Sequence, residues 1–206
     1  WYRPDLQAVI VVGDIDAKEI EKKIIATFSS IEMPKNAVER YYVSVPNNKG
    51  MEYVLAKDKD AQETSIVVYY KKEYDKVKNN ETIRRDLVNN LATDMMNRRY
   101  QEFIQNNETA VLKMATGPSE VSRLTNSHSL YVVPKNNKTL EGFKEMMVET
   151  ERAVRYGFTQ KELDRNKEAV LSSYENLLQN KDKFESDGLS EELVNYFLKA
   201  VPFESI

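Results

Sequence analysis

The apolar positions of this chain change period along its length, and each change marks an element. The opening stretch "LQAVIVVGD" carries an unbroken apolar run ended by Gly13-Asp14. Val9 to Val12 are all β-branched, which predicts a strand buried on both faces. The period then becomes helical. Asp16 is placed as an N-cap with Glu19 three residues on, the spacing of a capping box. Ile20, Ile24, Ile25 and Phe28 follow on one helical face. Residues 1–30 therefore read as a strand, a tight turn and an amphipathic helix.

The pattern lapses over residues 31–50, where Pro34, Pro46, paired Asn and Gly50 mark a linker. Alternation resumes with Met51, Tyr53 and Leu55, and "TSIVVYYK" follows after a polar turn. This predicts two strands in a hairpin. A long helix is expected from Asn80 to Gln105, with Ile83, Leu87, Leu91, Met95 and Phe103 on its apolar face. "TAVLKMAT" and "SRLTNSHSLYVVP" read as two strands around Gly117-Pro118. A helix with Phe143, Met146, Met147 and Val154 inward ends at Gly157, a C′ residue. Thr159 and Glu162 form a second capping box, opening a helix with Leu163, Val170, Leu171, Tyr174 and Leu178. A last helix holds Leu193, Val194, Phe197 and Leu198.

The order β-β-α-β-β-α-α-α over residues 51–206 predicts an α+β fold, a largely antiparallel sheet with helices packed on one side. Residues 1–30 fall outside that unit by pattern. They read as the closing strand and helix of a preceding domain. Because the chain begins with Trp1, it is expected to be a segment of a longer protein.

Composition narrows the chemistry. Among 206 residues there are no cysteines and one histidine, and the formal net charge is -3. Disulfides, thiol catalysis and Cys-ligated zinc are excluded. Basic residues gather nowhere, which speaks against nucleic acid as a partner. No apolar run is long enough to span a membrane. With six glycines in all, a phosphate-cradling loop has little material, and neither G-x-x-x-x-G-K nor G-x-G-x-x-G occurs.

The remaining candidates are weak by pattern. His128 lies in a predicted strand, and its neighbours Ser127 and Ser129 point to the opposite face. Asp58 and Asp60 sit beside Lys57 and Lys59 in a turn. Arg98, Arg99 and Tyr100 could grip a carboxylate or form a solvated helix end. The residues give no catalytic set and no metal set.

Two motifs nevertheless stand out together. Tyr2-Arg3-Pro4-Asp5, an apolar strand, Gly13-Asp14-Ile15-Asp16, a helix and Phe28 form the first. Gly157, Thr159, Glu162, Leu163, Arg165 and Lys167 form the second. Both resemble stretches of the insulinase/pitrilysin family of zinc peptidases, the inverted zincins. "KDAQETSIVVYYK" and "LATDMMNRRYQEFIQ" are similar to the intervening strand and helix of that family. "KDKFESDGLSEELVNYFLKAVPF" resembles its long single-chain bacterial branch.

The resemblance implies that residues 1–30 close a catalytic domain, that 31–50 link it onward, and that 51–206 form the second, non-catalytic domain. The family's zinc site, H-x-x-E-H with a further Glu, would lie upstream, so zinc belongs to the parent chain and no cofactor to this segment. The implied function is the chamber-wall and peptide-docking part of a zinc metalloendopeptidase. The alternative is a metal-free peptide-binding or structural assembly subunit of the same fold. The implied partners are the other domains of the parent and a peptide substrate. In the family, the strand after the long helix pairs with peptide by β-augmentation. By position that strand is Val111, Leu112, Lys113, Met114 and Ala115. The resemblance also favours an extracytoplasmic, periplasmic location.

Overall fold

The computed structural model describes residues 2–43, 45–73, 79–183 and 185–199. Trp1 and the closing stretch 200–206 lie outside them. The chain divides into two compact units, residues 1–41 with 173–206 and residues 42–172.

The larger unit is built on a three-stranded antiparallel sheet. Its strands are β1 (Ile66–Glu73), β2 (Val111–Ser122) and β3 (Thr125–Pro134), in the order β1-β3-β2. The helix α2 (Asn80–Asn106) packs against β2, and α3 (Thr139–Tyr156) packs against β3. Residues 160–172 of α4 (Gln160–Gln179) complete the unit. This is the expected α+β architecture. Its core joins Met96 and Tyr100 of α2, Val111 and Met114 of β2, Leu130 and Val132 of β3, and Met146 of α3. Register explains the choice: Ile66, Val132 and Met114 stand in one row across the sheet and so share a face.

Local signals place the helices. At the start of α2, the Asn79 side chain accepts from the Thr82 amide at 2.9 Å, and the Thr82 hydroxyl accepts from the Asn79 amide at 2.9 Å. The expected box at Thr159 is present. The Glu162 amide donates to the Thr159 hydroxyl, and the Glu162 carboxylate accepts from the Thr159 amide. Gly157 ends α3 with φ at 68°, in the left-handed region where a side chain is strained.

The smaller unit contains a 3-10 turn at Pro4–Leu6, α1 (Ala17–Phe28), a second 3-10 turn at Lys181–Lys183 and α5 (Ser186–Lys199). Asp16 caps α1 as expected, accepting from the amides of Lys18 and Glu19 at 2.9 and 3.1 Å. A groove of about 440 Å³ runs between the opening segment and α5, lined by residues such as Leu6, Val9, Phe28 and Phe197.

Several expectations are corrected. Val9 to Val12 form no strand, and Val9 and Val11 are 47% and 45% exposed. An apolar run becomes a strand only by pairing, and none of the strands among the described residues pairs with it. Residues 51–58 are likewise not a strand, with Met51 98% exposed. The connection from Ala56 to Ser65 is too long to fix a hairpin register as short turns do. The hairpin of β2 and β3 turns at Arg123-Leu124, so Gly117 and Pro118 lie inside β2. Val154 is exposed because the inward stripe of α3 continues through Ala153, and the next residue is rotated by about 100°. Leu171, Tyr174 and Leu178 of α4 are also exposed: Tyr174 and Leu178 continue the stripe of Leu163, but burial on this helix is confined to its earlier turns, around Leu163 and Asn166.

Candidate docking strand

β2 lies at one edge of the sheet, and the stretch Val111–Ala115 opens it. The start is fixed by Glu145 of α3, whose carboxylate accepts from the Ala110 amide at 3.0 Å and from the Thr109 hydroxyl. The Thr109 hydroxyl in turn accepts from the Val111 amide at 3.1 Å. A β-bulge follows. Val111 pairs with Pro134 and Lys113 with Val133, so Leu112 is the extra residue. The bulge breaks the alternation and sends both Val111 and Met114 into the core. Leu112 and Lys113 are left exposed together, and Ala115 is half-buried. The Lys113 ammonium stands 5.6 Å from the ring centre of Tyr131 on β3, within cation–π range.

Asn97 of α2 is the residue the sequence reading missed. Its side-chain carbonyl accepts from the Thr116 amide at 2.8 Å, and its NH₂ donates to the Thr116 carbonyl at 2.9 Å. Both main-chain groups of Thr116 therefore face away from β3. A signal existed: asparagine is a poor residue for a helix interior unless its side chain has a partner.

Arg99, one turn of helix from the core, does grip a carboxylate, and it is internal. Its Nε and Nη2 donate to Glu162 of α4 at 2.5 and 2.8 Å, and Nη2 also reaches the Gly157 carbonyl at 2.9 Å. The guanidinium lies 4.5 Å from the ring centre of Phe158. Arg99 holds the Glu162 carboxyl down to about 2, and Glu162 raises the Arg99 guanidinium in return. Tyr100 is fully buried, and its hydroxyl donates to Thr150, whose own proton goes to the Met146 carbonyl. Burial pushes the phenol above its ordinary value.

His128 stands in the row of Tyr70 and Pro118, and its Nε2 lies 2.7 Å from the Thr116 hydroxyl. That hydroxyl donates to the Ser129 carbonyl at 2.9 Å, so the imidazole N–H is the donor to Thr116. Burial, with Lys72 nearby, lowers the His128 pKa and favours the neutral ring. Ser127 and Ser129 bond to the carbonyls of Ser119 and Gly117 rather than to the histidine.

The donor set does not fit zinc. There is one histidine and no cysteine in the chain. Among the described residues, no three His, Asp or Glu side chains come together as a metal site.

These features define an α+β domain with a bulged edge strand. The Peptidase M16 inactive domain family matches residues 1–170, and the chain belongs to that family. The probable zinc protease PqqL of Escherichia coli is 26% identical over 207 aligned positions, which cover 100% of this chain and 22% of that protein. The chain thus spans about a fifth of its curated relative. The crystal structure of the periplasmic protease PqqL superposes with a TM-score of 0.75 at 21% identity, covering 94% of this chain and 21% of that one. A predicted insulinase family protease from Yersinia pestis gives 0.78 at 14% identity, covering 92% and 41%. At these identities the structural likeness establishes the fold.

Proposed function

We propose that this chain is the non-catalytic wall of a periplasmic zinc metalloendopeptidase and carries a docking site for its peptide substrate. The match to the inactive domain over residues 1–170 carries this reading. The relative named as a zinc protease supports the activity of the parent, and the periplasmic relative supports its location. In this reading residues 1–30 close the catalytic domain, 31–50 connect onward, and 51–206 form the second domain. Zinc and its ligands belong upstream, and this chain contributes no step of the hydrolysis. The stretch Val111–Ala115 is the docking strand. Val111 and Met114 anchor it in the core, while Leu112, Lys113 and Ala115 meet the peptide.

The test is hydrolysis of an unstructured peptide in the presence of zinc, by this chain alone and by the longer protein that contains it. Cleavage by the longer protein only is the expected result. Cleavage by neither, with both folded, would replace this reading with the metal-free binding subunit.

A further inference from the structure

We infer that peptide on β2 is recognised by the side chains of Leu112, Lys113 and Tyr131, and not by strand addition, and that the preferred segment joins an apolar residue to an acidic one. The inference rests on the docking reading above and names its mode and its substrate class.

Strand addition needs a run of main-chain N–H and C=O groups pointing outward from an edge. On an antiparallel edge these come from alternate residues. The bonds to Asn97 show that Thr116 belongs to the outward set of β2. Met114 and Pro118, two residues to either side, belong to it as well. Pro118 has no N–H to offer. The groups of Thr116 are spent on a carboxamide that makes the same two bonds a docked residue would make. The Val111 amide is spent on Thr109. Val111, Met114 and Thr116 are all at least nine-tenths buried, at 1%, 5% and 9% exposure. The outward run is thus interrupted at Thr116 and Pro118, and the Val111 amide is already bonded, so β2 lacks the continuous set of groups that strand addition needs.

What β2 does present is chemistry on its side chains. The bulge puts Leu112 at 58% exposure beside Lys113. Lys113 makes no ion pair among the described residues, and its charge leans on the Tyr131 ring. A carboxylate on the peptide would satisfy that ammonium, and an adjacent apolar group would cover Leu112 and the edge of Tyr131. The complementary segment is therefore acidic and apolar, against a cationic and apolar patch.

The probes are a fluorescein-labelled peptide alternating leucine and glutamate, its counterpart with lysine for glutamate, and backbone N-methylated versions of the first. Binding to this chain is read by anisotropy, with the Lys113→Glu variant alongside. That exposed substitution leaves the fold intact. The expected result has three parts. The acidic peptide binds about tenfold more tightly than the basic one at low salt. Lys113→Glu reverses that preference. N-methylation at any position changes affinity by less than about twofold, since no main-chain bond is lost. Binding that is sensitive to N-methylation but indifferent to Lys113→Glu would overturn this inference and leave the docking reading standing. Absence of binding by every peptide would overturn both.

Discussion

Glu162 accepts four hydrogen bonds, two from the Arg99 guanidinium and two from Thr159. Each favours the ionised carboxylate, so folding stabilises the charged form. A carboxyl lowered from its ordinary value of 4.5 to about 2 adds stability that is fully present above about pH 4.5. That contribution fades as pH falls toward 2. Glu162→Gln should therefore cost roughly 1–3 kcal/mol at neutral pH. The difference from wild type should shrink in urea titrations near pH 2.5. An equal deficit at both pH values would remove the ion pair from the account. Gly142 gives a second prediction at this scale. A Cβ there would stand 2.9 Å from Cβ of Pro134 and 3.2 Å from the Ala110 carbonyl oxygen. Neither neighbour can swing away, so Gly142→Ala should lower stability by about 1–3 kcal/mol in the same titration.

At the scale of elements, the contrast between helices and strands is instructive. The starts of α1 and α4 were legible because Asp16, Thr159 and Glu162 act within a few residues of themselves. The long helix was legible because its period runs for many turns. Strands depend on partners, and partners are not written in the local pattern. Val9 to Val12 and Met51 to Leu55 have strand composition without strand pairing. The candidate docking stretch was chosen by resemblance. Its bulge was hidden, since nothing in "VLKMA" marks Leu112 as the extra residue. Asn97 was hidden for a related reason: its two bonds span from helix to strand. Asn97→Ala should leave the Thr116 amide without its acceptor. Its hydrogen exchange should accelerate at least about tenfold, while the Val132 amide on β3 is unaffected. Unchanged protection at Thr116 would mean that α2 covers the edge without the carboxamide.

At the scale of the molecule, burial is unevenly shared. Every buried side chain among the described residues lies between Thr82 and Asn166, inside the larger unit. In the smaller unit neither α1 nor α5 has a buried residue. Capping and amphipathicity define those helices, but stability comes mainly from a packed apolar face. Amide exchange should therefore be slowest along β3 and the centre of α2, and fast in α1. A proteolysis time course should cut α1 well before α3. Equal protection of α1 and β3 would show that the smaller unit is stable by itself.

The interruptions along β2 bias the direction in which the sheet can grow. A strand joining at β2 would have to displace the Asn97 carboxamide and pass Pro118, whereas β1 (Ile66–Glu73) forms the other edge of the sheet. A three-stranded sheet with two open edges could be lengthened in either order. Here the two edges are unequal, and the difference is made by an asparagine side chain, a threonine hydroxyl and a proline.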